Sequence, residues 1–455
     1  MQRDVSKIVK WARENGFTFS KSKTVMMQFY KTRAPVLKPK IYLDKLIPEV
    51  DTFKFLGLVW DPKLTWIHQI VQLKDSCMKT MNLLRIVTSQ SWGADMEIGM
   101  RLYRAIIRSK IDYGSIVYGA ANGATLNSLE VVANEAMRIT SGAFKTTPVS
   151  SMQVMNSEPP LELRRTELLL KYFFKPKCHL QSPAYGCVIN NILYNFFNSR
   201  GMKISIVTVV KIQQALLLYN IPIQPVLTFR TPTIYSHEIK LPRIDFEAVG
   251  IRKSDTPRHI VRAIFQSLIG GKYAGHRLIF TDGSKSEEGV GTAAMLGRNK
   301  ILASLPHVAT VFTVEVVGLK LAAKRIEGYS RAEKFLVCLH SLSVLQDMSN
   351  VLTSDHLVQR VQQQFHKIIE NGYDVTLTWV PSHVGILGNE SVDLEAKKAA
   401  RKSPEFIPIP FRNWFPEIRK RTNEMWNQKW REERRDFYEL KPTVKKMVSN
   451  IQIIQ

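Results

Sequence analysis

The sequence predicts a multidomain α/β protein whose C-terminal part is a five-stranded mixed sheet flanked by helices. Three observations predict it. The chain has 455 residues, more than one ordinary compact domain holds. Hydrophobic residues make up 45% and charged residues 23%, the balance of a chain that can bury a core. Residues 71–175 keep a helical period, whereas short apolar runs alternate with helical patterns after residue 274.

Taken in order, residues 1–70 open with a helix-like segment (Ile8, Val9, Trp11, Ala12), and Thr24–Phe29 and Phe53–Trp60 read as strands. Within 71–175, Leu102, Ala105 and Ile106 share one helical face and Leu129, Val132 and Ala136 another. Residues 176–273 hold Pro176, Pro183, Pro222, Pro225, Pro232, Pro242 and Pro257 and no sustained period, which predicts an irregular connector with local structure. Leu278–Asp282, Gly291–Leu296, Ile301–Leu305, Phe335–Leu339 and Val375–Val380 then read as strands. Helical patterns surround Val314–Ile326, Leu357–Ile369 and Glu390–Ala400, giving the order β-β-β-α-β-α-β-α over 274–402. Residues 403–455 read as a basic, Trp-containing helical tail.

Lys and Arg number 64 against 39 Asp and Glu, a net charge of +25 that concentrates polyanions around the protein. Nucleic acid is the leading partner. No run approaches the length of a membrane span, and no basic helix carries a clean apolar stripe for a membrane surface. The reading is a soluble, intracellular protein without a membrane partner; nucleus and cytoplasm are not separated, and protein partners are not indicated. The four cysteines are too scattered for a disulfide framework. Cys178, His179 and Cys187 lack the further ligand pair that a tetrahedral zinc site needs.

Asp282 ends an apolar strand, where a carboxylate is costly to bury unless it meets something positive. Glu315 lies early in a helix whose Leu319, Ala322 and Ala323 form the buried stripe. Asp393 follows Gly388-Asn389-Glu390, a plausible helix start with Asn389 as its cap. Singly, each acid also fits a turn or a solvated helix end; jointly, three acids from three elements can converge at one sheet edge. Such clusters hold divalent ions that activate water and stabilise a leaving oxygen in phosphodiester hydrolysis.

Ile279-Phe280-Thr281-Asp282-Gly283-Ser284, then Phe312-Thr313-Val314-Glu315, then the block from Trp379-Val380-Pro381-Ser382-His383 through Gly388-Asn389-Glu390-Ser391-Val392-Asp393 resemble ribonuclease H of the type carried by non-LTR retrotransposon polyproteins. The resemblance covers roughly 274–402. It implies a ribonuclease H-like fold, cleavage of the RNA strand of an RNA–DNA hybrid, and two Mg²⁺ or Mn²⁺ ions held by four carboxylates. Carried over residue by residue, it makes Asp282, Glu315 and Asp393 three of those ligands and His383 a proton relay. It also implies nucleic-acid contacts at Gly283, Ser284 and Asn389.

The fourth ligand departs from the pattern. Relatives carry Asp-Ser after the fourth strand; here Phe335–Leu339 runs into His340-Ser341. An imidazole cannot supply an anionic oxygen to a hard cation. Asp347 lies seven residues on, about two helical turns or ~10 Å away and out of reach. The expectation is strongly reduced or absent cleavage, the alternative being a catalytically dead protein that still binds nucleic acid.

Upstream, Asn15-Gly16-Phe17-Thr18-Phe19-Ser20-Lys21-Ser22-Lys23-Thr24, Phe53–Leu58 and Leu64-Thr65-Trp66 resemble the end of the palm and the start of the thumb of non-LTR reverse transcriptases. That places Lys23 near an incoming nucleotide, Leu56-Gly57 near the primer-grip turn, and 71–175 in a helical connection region. The paired aspartates of polymerase chemistry are missing; Asp51 and Asp61 are single acids in turn-like settings. The expectation is a truncated copy without DNA synthesis. In the tail, Trp426 and Trp430 among Arg and Lys fit base stacking, and equally fit a helix packing its tryptophans inward.

Overall fold

The computed structural model describes residues 1–20, 22–30, 39–43, 45–89, 93–189, 208–222, 226–229, 234, 237–247, 256–329, 333–405, 407–433 and 437–444. The chain divides into two compact units: one of Met1–Tyr172, Asn190–Asn220 and Lys420–Gln455, the other of Phe173–Ile189 and Ile221–Arg419.

The first unit is mainly helical. The helices Ile67–Val87, Met96–Tyr103 and Gly123–Ser141 bury Met81, Leu84, Met100, Tyr103, Leu129, Val132 and Ala136 in one core. The stripe expected from Leu129, Val132 and Ala136 is the buried one. That of Leu102, Ala105 and Ile106 is not: Tyr103, Ile107 and Ile111 turn inward, Leu102 and Ile106 are half-buried and Ala105 is exposed. A π-helical turn at Arg104–Arg108 adds a residue to the turn, so the inward positions drift from the ideal period.

Phe53–Phe55 and Leu58–Trp60 form a hairpin, closed by left-handed Leu56 and Gly57 (φ 49° and 82°). Tyr113 donates a hydrogen bond to the Leu56 carbonyl, 2.7 Å, and a Cβ on Gly57 would lie 2.9 Å from its ring. Thr24–Phe29, expected as a strand, makes only an isolated bridge between Met26 and Glu49. With no continuous partner its alternating apolar pattern has no ladder to join. The tail tryptophans Trp426 and Trp430 are 4% and 1% exposed and pack with Val154 and Leu163; Trp430 also donates to the Lys441 carbonyl. Of the two readings of these rings, inward packing is the one observed.

The second unit holds a six-stranded sheet, one strand more than expected. Its members are β1 (Arg243–Asp245), β2 (Arg277–Lys285), β3 (Val290–Leu296), β4 (Asn299–Leu305), β5 (Lys334–Leu339) and β6 (Asp374–Trp379), in the order β1-β6-β5-β2-β3-β4. β1, β6, β5 and β2 run parallel, and β3 and β4 complete an antiparallel meander. Three residues between prolines carry too little pattern for β1 to be read from sequence. The helices are α1 (Arg258–Gly270), α2 (Val311–Glu327), α3 (Leu342–Ser349), α4 (His356–Glu370) and α5 (Leu387–Ala400).

The stretch 176–273, expected to be irregular, also contains the helices Pro183–Ile189, Thr208–Leu218 and α1. Proline begins Pro183–Ile189, and Pro257 caps α1, positions where its missing N–H costs nothing.

Alternation divides the sheet's side chains between two cores. Ile279, Phe335, Val337 and Leu339 pack with Leu319, Ala322 and Ala323 of α2 and Phe365 of α4. Phe280, Leu336 and Cys338 pack with Phe265 of α1 and Val392 and Ala396 of α5. The fully buried Val, Leu, Ile and Phe side chains among these each contribute about 1.5–3 kcal/mol, which holds the sheet between the helical layers.

Candidate metal centre

Strand register sets the first two positions of the site. β2 and β5 pair in parallel with Thr281 opposite Leu339, so the next residues stand side by side: His340 just past the end of β5 and Asp282 within β2, which runs on to Lys285 against β3 and so extends past the end expected at Asp282. Hydrogen bonds hold the end of β5: Trp379 donates its indole N–H to the His340 carbonyl at 2.9 Å, and Val380 donates its backbone N–H to the Leu339 carbonyl.

Glu315 comes from α2, whose N-cap Thr310 accepts a hydrogen bond from the Thr313 amide. The helix approaches β2 closely at Gly283. A Cβ there would lie 2.7 Å from Val314 Cγ1 and 3.2 Å from Glu315 Oε1, too near for any side chain without displacing α2. Glycine in the Thr-Asp-Gly-Ser segment thus permits the helix to deliver its carboxylate.

Asp282, Glu315 and His340 converge, each offering a ligand atom within 4.8 Å of the others. The imidazole lies between the acids: Nδ1 is 3.1 Å from Asp282 Oδ1, and Nε2 is 3.2 Å from Glu315 Oε1. Asp282 is 6% exposed and Glu315 wholly buried. Neither oxygen of Glu315 receives a well-formed hydrogen bond. Burial, with a smaller contribution from the Asp282 charge, pushes its pKa up to about 8, against the downward pull of His340.

Asp393, expected as a further ligand of this site, lies with His383 and Glu390 in a second group of possible ligands. Its carboxylate accepts a hydrogen bond from Lys397 Nζ, 2.7 Å away and one helical turn on, and this pairing raises the lysine's pKa. His383 is exposed, in a left-handed conformation (φ 58°), with Nδ1 3.9 Å from Glu390 Oε2. Asp347 joins neither group.

α5 begins at Leu387 with Ile386 as its N-cap, which corrects the expectation that Asn389 caps it. Glu390 supplies an acceptor instead, to the Gly385 amide at 3.2 Å. The earlier start brings Gly388 into the first turn, where a Cβ would meet the Phe280 ring at 2.3 Å; packing against β2 decides the boundary. Asn389 is buried at 3% exposure, with no hydrogen-bond partner for its Oδ1, while Gly283 and Ser284 are half-buried beside Asp282.

Sequence reasoning identified His340 as the departure but not its position between the acids. The signal was available in part, because Asp282 and His340 each directly follow a strand's apolar run, and parallel neighbours in register bring such positions together.

Residues 275–401 match the RNase H family model. Among solved structures, RNase H1 from the halophilic archaeon Halobacterium salinarum NRC-1 is similar at 19% identity, with 28% of this chain and 97% of that chain covered and a TM-score of 0.22. No curated protein matches the chain. Among the described residues no helix is long and apolar enough to cross a membrane.

Proposed function

We propose that the RNase H domain at residues 275–401 binds RNA–DNA hybrid and cleaves its RNA strand weakly or not at all. One observation carries the second half of this reading: the His340 imidazole lies between the carboxylates of Asp282 and Glu315, 3.1 and 3.2 Å from them. Hydrolysis by the family relies on divalent ions, and Mg²⁺ takes oxygen ligands in near-octahedral geometry. Two carboxylates bridged by a ring nitrogen on each side do not fit a pair of such ions, since the ring fills the space between its would-be ligands. Asp393, already paired with Lys397, does not make good the missing oxygen. The domain's match to the family and the chain's net charge of +25 support hybrid binding, through phosphate contacts that weaken with salt.

The setting we infer is a retrotransposon-derived polyprotein in which this domain follows the end of a reverse transcriptase. The hairpin at Phe53–Trp60 with its Leu56-Gly57 turn supports it. Asp61 offers no polymerase metal ligand: its carboxylate accepts the backbone N–H groups of Lys63, Thr65 and Trp66.

The test is release of cut RNA from a labelled hybrid in Mg²⁺ and in Mn²⁺, comparing the chain with its His340→Asp variant. Restoring the carboxylate is expected to raise the rate by at least about tenfold, the scale on which changes around metal ligands act. Equal, robust rates from both proteins defeat the impaired-site reading. No cleavage by either, with hybrid binding intact, favours a purely binding domain.

A further inference from the structure

We propose that Asp282, Glu315 and His340 together hold one divalent ion of the borderline, nitrogen-accepting class, Zn²⁺ or Co²⁺, in place of a pair of hard ions. The inference rests on the reading of this cluster as the domain's metal site and changes what the site takes. Glu315 has no exposed surface, and neither of its oxygens receives a well-formed hydrogen bond; the Gly283 amide and the His340 ring offset its burial only in part. A buried carboxylate so incompletely compensated calls for a cation, and among the described residues Asp282 and His340 offer further ligand atoms within 4.8 Å.

The spacings suit a small ion. The ring stands within reach of both acids, Nδ1 3.1 Å from Asp282 Oδ1 and Nε2 3.2 Å from Glu315 Oε1, close to the ligand–ligand edge of about 3.3 Å that bonds of about 2.0–2.1 Å give in a tetrahedron. Only one ring nitrogen can bind an ion, whereas the ring now turns one towards each carboxylate. His340 retains 27% side-chain exposure, which leaves room for rotation about Cβ–Cγ to present a single nitrogen. Two carboxylates and an imidazole suit Zn²⁺ and Co²⁺ far better than Mg²⁺, and three protein ligands leave a fourth position for water.

The test uses the full chain stripped of metal and titrated with Co²⁺, whose visible d–d absorption reports coordination directly. The expected result is one Co²⁺ per chain at this site, displaced by Zn²⁺ and not by equimolar Mg²⁺. His340→Ala and Glu315→Gln should each weaken Co²⁺ binding by about tenfold or more. His340→Asp, which restores an oxygen donor, should shift the preference towards Mg²⁺ and change the spectrum, while circular dichroism checks that each variant folds.

The second group, His383, Glu390 and Asp393, is addressed by His383→Ala, which should leave the Co²⁺ spectrum unchanged. Absence of Co²⁺ and Zn²⁺ binding overturns the proposal, as does an unchanged spectrum in His340→Ala or loss of binding in His383→Ala. Hybrid binding by the same preparations is measured separately. Its loss sinks the RNase H reading and leaves the metal result standing.

Discussion

Glu167 in the helical unit and Glu315 in the sheet unit are both buried glutamates, at 4% and 0% exposure, with opposite electrostatics. Glu167 pairs with Arg164 at 2.9 Å and with Lys171. Burial raises its pKa, but these two cations more than offset that and leave it below the usual range. Glu315 is driven up to about 8 by burial, which the His340 ring and the Gly283 amide offset only in part. A carboxylate that serves structure carries its counter-charge within the fold, whereas one that serves a ligand is left in deficit. The difference separates the two roles more sharply than burial does.

The largest test of that contrast removes the counter-charge from the structural site. Arg164→Ala should destabilise the protein by about 1.5–3 kcal/mol in urea unfolding, because the half-buried Asp112 and the buried Glu167 lose their shared guanidinium and keep only Arg108 and Lys171. A loss within about 0.5 kcal/mol would show that this network is no more costly to break than surface pairs.

The pH dependence of the two glutamates should run in opposite directions. Glu315 has a folded pKa raised from an ordinary 4.5 to about 8, so the folded state holds the extra proton. Stability should therefore fall as pH rises from about 4.5 to 8 in metal-free protein, by on the order of a few kcal/mol. Glu315→Gln should flatten that decline. Glu167, with its lowered folded pKa, contributes stability that is present above its unfolded pKa and lost as pH falls through the folded one. Unfolding midpoints measured across this range for the chain and for Glu315→Gln check the first sign, and midpoints below pH 4.5 for the chain and for Glu167→Gln check the second; an unchanged slope in a variant breaks its assignment.

A smaller effect tests the approach of α2 to β2. Gly283→Ala places a methyl 2.7 Å from Val314 Cγ1 and should cost about 1–3 kcal/mol by overpacking, seen as a lowered thermal midpoint. His383→Ala should change stability by no more than about 0.5 kcal/mol, since its side chain is 69% exposed. A larger loss would mean that the left-handed turn depends on the imidazole.

The C-terminal sheet was legible because its strands are continuous apolar runs buried on both faces and its helices carry long stripes. The pattern gave way where a neighbour decided the outcome: at Arg243–Asp245, too short to signal a strand; at Thr24–Phe29, which lacks a partner; and at Met96–Asp112, whose π turn rotates the buried face. In the tail, composition left two readings of Trp426 and Trp430 open, and packing chose between them.

By itself the sequence singled out the candidate residues: Asp282 after an apolar run, Glu315 on a helix, and an imidazole at residue 340 where a carboxylate was expected. Local order suffices for this, since strand ends and helix turns follow from periods of two and 3.6 residues. Only the tertiary structure decided that His340 stands between the two acids, that neither oxygen of Glu315 receives a well-formed hydrogen bond, and that Asp393 pairs with Lys397. Those facts depend on the register of two parallel strands and the closeness of one helix to them, separations of tens of residues along the chain that no local pattern encodes.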